Sequence, residues 1–244
     1  MTRLDQLLVE KGLAPSRARA QAMIRAGLVQ VHGKVQEKPA ATVAPDAEII
    51  LSGDVHPWVS RGGVKLAHAL DHFGLDVAGA VCLDLGASTG GFTDVLLSRG
   101  AKKVYAVDVG HGQLHAKLRA DARVENIEST HARDLTPAHM PEAPDFLAAD
   151  VSFISLTKAL PPVLPLLTPS ARAVLLVKPQ FESSPADIGK GGIVRDAAVR
   201  RAAVAAVQAF IEQAGWQTGG ICESPLEGGD GNGEFLIYAF KSKY

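Results

Sequence analysis

Cysteine is scarce in this chain: Cys82 and Cys222 are the only two among 244 residues, with no C-x-x-C pair and no histidine pair near either in sequence. A disulfide framework is thereby excluded, and with no zinc ligand set legible, no metal is expected. The eight histidines are scattered, and His68, His111, His115 and His131 read as surface or packing residues. Long apolar runs are missing too, none approaching the ~18 residues of a membrane span. From Met1 to Lys11 charges interrupt what a signal peptide would keep apolar, so the expected location is the cytoplasm. Net charge is almost absent at −1, but it is unevenly spread. Residues 1–36 carry Arg3, Lys11, Arg17, Arg19, Arg25 and Lys34 against Asp5 and Glu10, while acids outnumber bases in the remainder. Hydrophobic residues at 47% and charged residues at 21% fit a globular protein of one or two domains.

What the chain does have is a glycine-rich turn behind a short apolar strand, Val81-Cys82-Leu83-Asp84-Leu85-Gly86-Ala87-Ser88-Thr89-Gly90-Gly91-Phe92. A buried strand ending near an acid, glycines that let a ligand lie against the main chain, and a helix from Phe92 make a cofactor loop. Its spacing satisfies neither the G-x-G-x-x-G dinucleotide fingerprint nor the G-x-x-x-x-G-K-[ST] P-loop. The remaining D-x-G-x-x-x-G-G order resembles the S-adenosylmethionine loop of Rossmann-like methyltransferases. That resemblance implies Gly86, Ala87, Ser88, Thr89, Gly90, Gly91 and Phe92 as cofactor-binding residues, with Asp84 facing the methionine end.

Residues 103–107 read as a second strand ending at Asp108, an acid suited to a cofactor ribose. Strands at 123–127, 144–149 and 172–177 follow, the last two delivering Asp150 and Lys178. Open α/β sheets bind ligands at the carboxyl ends of their strands, so Asp84, Asp108 and Asp150 are expected along one rim. A crossover helix is expected within 151–167, a mobile loop over the site at 183–196 and a long helix at 197–214. The last two strands fall at 217–223 and 234–240, joined by a glycine-rich connection at 228–233 that brings Glu234 to a strand start.

At the N-terminus Leu4, Leu7 and Leu8 share one face of a helix that Gly12 ends. Ser16 caps a second helix, 17–25, with Ala18, Ala22, Met23 and Ile24 inward and Arg17, Arg19 and Arg25 outward. Small strands follow at 28–31, 35 and 47–51. The spacing R-L-D-x-x-L-x-x-x-G-x-x-x-S-R-x-x-A-x-x-x-I-x-x-G-x-V-x-V-x-G-x-x-V, from Arg3 to Val35, resembles the αL RNA-binding module first known from a small-subunit ribosomal protein. The likeness implies Arg3, Arg17, Arg19, Arg25 and Lys34, with Arg61 beyond them, on RNA phosphates. Such contacts give affinity but little sequence reading. The expected domains are an αL-type RNA-binding unit at 1–52, a linker at 53–60 and a larger domain at 61–244.

Four ionisable residues, Lys65, Asp150, Lys178 and Glu234, then stand at strand or helix ends. Their K-D-K-E order resembles the tetrad of ribose 2′-O-methyltransferases of the FtsJ type. Their contexts, Ser60-Arg61-Gly62-Gly63-x-Lys65-Leu66, Asp150-x-Ser152-Phe153-Ile154-Ser155-Leu156 and Val177-Lys178-Pro179-Gln180-Phe181-Glu182, with Gly191-Gly192-Ile193-Val194-Arg195-Asp196, are similar to the TlyA family. The resemblance runs from the N-terminal module to Phe240. It implies an α/β fold, a Rossmann-like seven-stranded methyltransferase sheet with a small N-terminal α+β domain. It implies S-adenosyl-L-methionine as cofactor, ribosomal RNA in a ribosomal subunit as partner and a cytidine 2′-hydroxyl as acceptor. Lys178 becomes the proton acceptor or hydroxyl-orienting group, Asp150 orients it, and Lys65 and Glu234 position ribose and lysine. A monomer with no membrane partner is expected. Beginning at the αL module and ending soon after Phe240, the chain is similar to the shorter subgroup, whose implied target is large-subunit RNA.

Three other readings compete. An NAD-dependent oxidoreductase shares the loop and Asp108 but lacks the fingerprint and leaves Lys178 and Glu234 without a role. A membrane-active hemolysin, a label this family often carries, needs an apolar or amphipathic segment that is not found. A non-catalytic RNA-binding or assembly protein does not need all four tetrad positions filled.

Overall fold

In the computed structural model the described residues are 1–14, 16–25, 27–51, 56–228 and 230–241. Residues 52–55, at the expected domain boundary and linker, Gly229 of the glycine-rich connection, and residues 242–244 therefore lie outside the described residues. The chain divides into two units, Met1–Pro57 and Trp58–Tyr244.

The first unit runs β1 (Thr2–Arg3), α1 (Leu4–Glu10), α2 (Arg17–Arg25), β2 (Val29–Val31), β3 (Lys34–Val35), β4 (Thr42–Val43) and β5 (Ile49–Leu51). β1 pairs with β4, and β2 is the middle of an antiparallel β3-β2-β5 sheet. Ser16 Oγ accepts from the Arg19 N–H, and the Leu28 N–H closes the end of α2 on the Met23 carbonyl. Leu4, Leu8, Ala20, Met23, Ile24 and Val29 form the core. The α2 stripe is thus 20, 23 and 24, an i, i+3, i+4 set. Ala18, expected inward, falls off that stripe and is exposed, and Ala22 is only half-buried.

The second unit contains α3 (Gly62–His72), β6 (Val81–Leu85), α4 (Gly91–Ser98), β7 (Lys103–Val107), α5 (Ala116–Arg119), β8 (Val124–Ile127) and β9 (Phe146–Ala149). It continues with α6 (Leu156–Ala159), β10 (Arg172–Val177), α7 (Pro179–Glu182), α8 (Ala197–Gln213), β11 (Gln217–Glu223) and β12 (Phe235–Phe240). The sheet order is β11-β12-β10-β9-β6-β7-β8. β6 to β10 pair in parallel, while β12 lies antiparallel between β10 and β11. Chain order reverses between β6 and β9, which opens a crevice at their carboxyl ends.

Alternation along each strand gives this sheet two buried faces. Leu83, Leu147, Leu175 and Ile237 meet Val204, Val207 and Ile211 of α8 on one face. Cys82, Val104, Phe146 and Leu236 meet Leu66 and Leu70 of α3 and Val95 and Leu96 of α4 on the other.

The crossover expected within 151–167 is a correction. Only α6 and a single 3-10 turn at Leu164–Leu166 are helical, because Pro161, Pro162 and Pro165 lack the N–H that a continuous helix needs. The 183–196 loop is anchored: buried Asn232 accepts from the Val194 N–H at 2.8 Å and donates to the Gly192 carbonyl at 2.9 Å. Among the described residues no helix is long and apolar enough to cross a membrane.

Candidate active site

Parallel strands deliver their final residues to one edge, and there the main chains of β6 and β9 nearly touch. A Cβ at Gly86 would lie 2.3 Å from the Asp150 carbonyl oxygen, and Gly86 holds φ at +88°, so only glycine fits this position. Beside it opens a cavity of about 570 Å³, lined by Gly86, Ser88, Asp108, Asp150, Ser152 and Phe153 among others. That volume lies in the usual range for small-molecule and cofactor pockets.

Asp108 stands just past β7. Its Oδ2 accepts from the Ser88 N–H and its Oδ1 from the Gly110 N–H, both at 2.7 Å. A carboxylate has about four acceptor positions, so two remain for a ligand. Glu128, which the sequence reading passed over, holds the neighbouring loop by accepting from the N–H groups of Gly112, Gln113 and Leu114. These donors, Leu114 foremost, keep its carboxyl well below the usual carboxylate range. No pattern marks such an acid in advance, because its partners are three backbone groups and the Asn126 side-chain amide.

Asp84 does not line the cavity. It is fully buried behind the loop, where Oδ2 accepts from the Thr93 hydroxyl at 2.6 Å and Oδ1 has no partner among the described residues. Burial pushes its pKa up to about 7; the Thr93 hydrogen bond opposes this and the Asp150 charge adds to it. Ala87, Gly90, Gly91 and Phe92 are buried as well, so within the loop Gly86 and Ser88 reach the cavity and the others pack. Gly91 shows why: a Cβ there would lie 2.2 Å from Ser60 Oγ, at the entry to α3. Thr89 is exposed, and its carbonyl receives the His115 N–H.

The tetrad residues come from four separate elements and converge as two ion pairs. Lys178, held extended ahead of Pro179, places Nζ 2.6 Å from Asp150 Oδ1 and donates its hydrogen bond to Ser152 Oγ at 2.8 Å. The contact with Asp150 is one of charge, since Oδ1 receives no well-directed hydrogen bond. Lys65 pairs with Glu234, and both are buried. Burial raises the Glu234 pKa; the charges of Lys65 and Lys178 lower it and that of Asp150 raises it, so all four groups feel one another. Ser152 was not singled out in the sequence, although it stands two residues past Asp150. Glu182 takes the Ser155 hydroxyl and the Leu156 N–H, fixing the start of α6 behind that segment.

The basic residues expected on RNA are less uniform. Arg3 and Arg17 bond Asp5, which Gln21 also binds, and these partners cover it completely. The Arg3 guanidinium holds Asp5 far below the usual carboxylate range. Arg19, expected outward, instead binds the His56 ring and its carbonyl. Arg25 and Lys34 are exposed, and Arg61 donates to the Glu227 carbonyl.

A mostly parallel seven-stranded sheet with an antiparallel last strand, acids along its rim and a cofactor-sized crevice defines a Rossmann-like methyltransferase. The chain belongs to the FtsJ-like methyltransferase family, which it matches over residues 58–241, and carries an S4 domain at residues 2–49. It is 45% identical over 237 residues to the 16S/23S rRNA (cytidine-2′-O)-methyltransferase TlyA of Mycobacterium tuberculosis, covering 97% of this chain and 88% of that protein. Hemolysin A of Brachyspira hyodysenteriae is 42% identical, over 97% of this chain and 98% of its own length. A solved Streptococcus thermophilus structure described as a hemolysin has a TM-score of 0.79 at 42% identity, covering 99% of this chain and 89% of that one.

Proposed function

We propose that this protein is a ribose 2′-O-methyltransferase of ribosomal RNA, dependent on S-adenosyl-L-methionine and acting on a cytidine. The observation that carries the reading is the meeting of Lys65, Asp150, Lys178 and Glu234 as two ion pairs, with Asp150 lining the cavity. The residues present fit the cofactor: the open main chain at Gly86 and Ser88 would lie against it, Asp108 has acceptors left for its ribose, and Asp84 stands behind the loop with an unpartnered oxygen. When bound, that cofactor supplies a methyl group on a positively charged sulfur.

The chain's own task is to make a ribose hydroxyl a competent nucleophile, which needs alignment and removal of its proton. Lys178 orients the hydroxyl or, once it has released its own ammonium proton to solvent, accepts the hydroxyl proton. Asp150 and Ser152 fix its nitrogen from two sides, and Asp150 compensates the charge that the proton brings. Lys65 and Glu234 hold the acceptor ribose and set the field around Lys178. The S4 domain contributes phosphate contacts through Arg25 and Lys34, and the work takes place in the cytoplasm.

The test is methyl transfer from labelled cofactor to ribosomal RNA from cells lacking the gene, with the 2′-O-methyl sites mapped in both subunits. Lys178→Ala is expected to lose about 10²- to 10⁴-fold in rate while binding cofactor normally. Transfer at the parental rate would remove Lys178 from the mechanism.

A further inference from the structure

Between α3 and the edge strand β11 lie three donors that methyl transfer leaves unused. His68 and His72 stand one turn apart on α3, where residues four apart are neighbours on one face. Their rings stack with centroids 5.7 Å apart. Cys222 reaches them from β11, and the ligand atoms of all three lie within 4.8 Å of one another. The sequence showed no histidine pair near either cysteine and led to an expectation of no metal. The fold corrects the first point, because pairing of β11 with β12 carries Cys222 back against α3.

The approach is built into the backbone. A Cβ at Gly220 would lie 2.8 Å from the Phe73 ring, so the end of α3 rests directly on the strand. The β11 register shifts between Thr218 and Gly220, two residues before the cysteine. Phe73 also packs against Tyr238 of β12. Cys222 packs against the α3–α4 core face, His68 is half-buried and His72 is exposed, which leaves an open side for ligand entry. Two imidazoles and a thiolate are a donor set for zinc and its neighbours rather than for magnesium or calcium. Three protein ligands leave the fourth tetrahedral position to water.

We propose that His68, His72 and Cys222 form a binding site for a divalent transition metal of zinc chemistry, which clips α3 to β11. Binding releases the thiol proton to solvent and forms one sulfur and two nitrogen bonds to the ion, with no change of oxidation state. The clip joins α3, which carries Lys65, to β11, the strand paired with β12 at whose start Glu234 stands. Lys65 lies three residues before His68, and Cys222 sits opposite Leu236, two residues beyond Glu234.

The experiment uses untagged full-length protein, stripped with a chelator and then titrated with zinc by calorimetry and with cobalt(II) by absorption. One ion per chain, a thiolate-to-cobalt charge-transfer band and a thermal midpoint raised by zinc are expected. Cys222→Ser should abolish the band. His68→Ala and His72→Ala should each weaken zinc binding beyond the roughly 10- to 100-fold that loss of an outer partner costs. A cobalt complex without the sulfur band, or a Cys222→Ser protein that binds zinc as tightly as the parent, would overturn the site. None of these readouts involves RNA or methyl transfer, so their failure leaves the proposed reaction untouched.

Discussion

Asp84 concentrates much of the site's electrostatic tension in one carboxyl group. Its folded pKa of about 7 lies well above the ~3.9 of an unfolded aspartate. Between those values the folded chain binds a proton that the unfolded chain has released. The associated stability is therefore full below about pH 4 and is lost as pH rises toward 7, an effect bounded on the order of 4 kcal/mol. The cofactor-free protein should show a thermal midpoint that falls from about pH 5 to about pH 8. Asp84→Asn keeps an acceptor for Thr93 but cannot ionise, so it should flatten that profile and raise stability at the alkaline end. An unchanged slope in the variant would assign the effect to another group.

Between elements, the Lys65–Glu234 pair ties α3 to the start of β12. A buried pair broken on one side leaves an uncompensated charge, so Lys65→Met should destabilise the chain by about 3–5 kcal/mol. Adding Glu234→Leu removes the orphaned charge and should restore most of the stability without restoring methyl transfer. Denaturant unfolding of the single and double variants, beside the methyl-transfer assay, separates the two roles. A Lys65→Met protein as stable as the parent would show that the pair contributes nothing. The broken crossover after β9 is an instructive contrast. Residues 151–167 read as one crossover helix, but three prolines end regular helix after α6 and the extended Ser155 cap starts it, which leaves 151–154 outside the helix and beside Lys178. Phe153 there takes a positive φ of 63° and is almost wholly exposed.

Across the whole molecule, RNA affinity should rest on exposed basic groups rather than on every base of the first unit. Arg3 and the exposed Arg17 are tied to Asp5, and Arg19 to His56, whereas Arg25 and Lys34 are exposed and, among the described residues, enter no such contact with Asp5 or His56. Arg25→Glu and Lys34→Glu should each weaken ribosomal RNA binding across sequences and reduce its salt dependence by about one phosphate contact. Cofactor affinity should not move. Equal RNA binding by the double variant across a salt titration would redirect the contact to another surface.

The strand order in sequence, the glycine loop and the acids or lysines at strand ends were legible from residue order alone. They depend on short-range rules: apolar runs make buried strands, glycines permit close turns, and strand ends carry the chemistry. The helix bounds at 17–25 and the last two strands were readable for the same local reason. Tertiary structure alone paired Lys65 with Glu234 and brought Ser152 to Lys178, whose orientation by Asp150 the family resemblance already implied, because the sheet order sets distant segments side by side. The inward rotation of Asp84, the commitment of Arg19 to His56 and the gathering of His68, His72 and Cys222 have the same cause. Local sequence sets each element, but the contact between elements follows from long-range packing that no single stretch encodes.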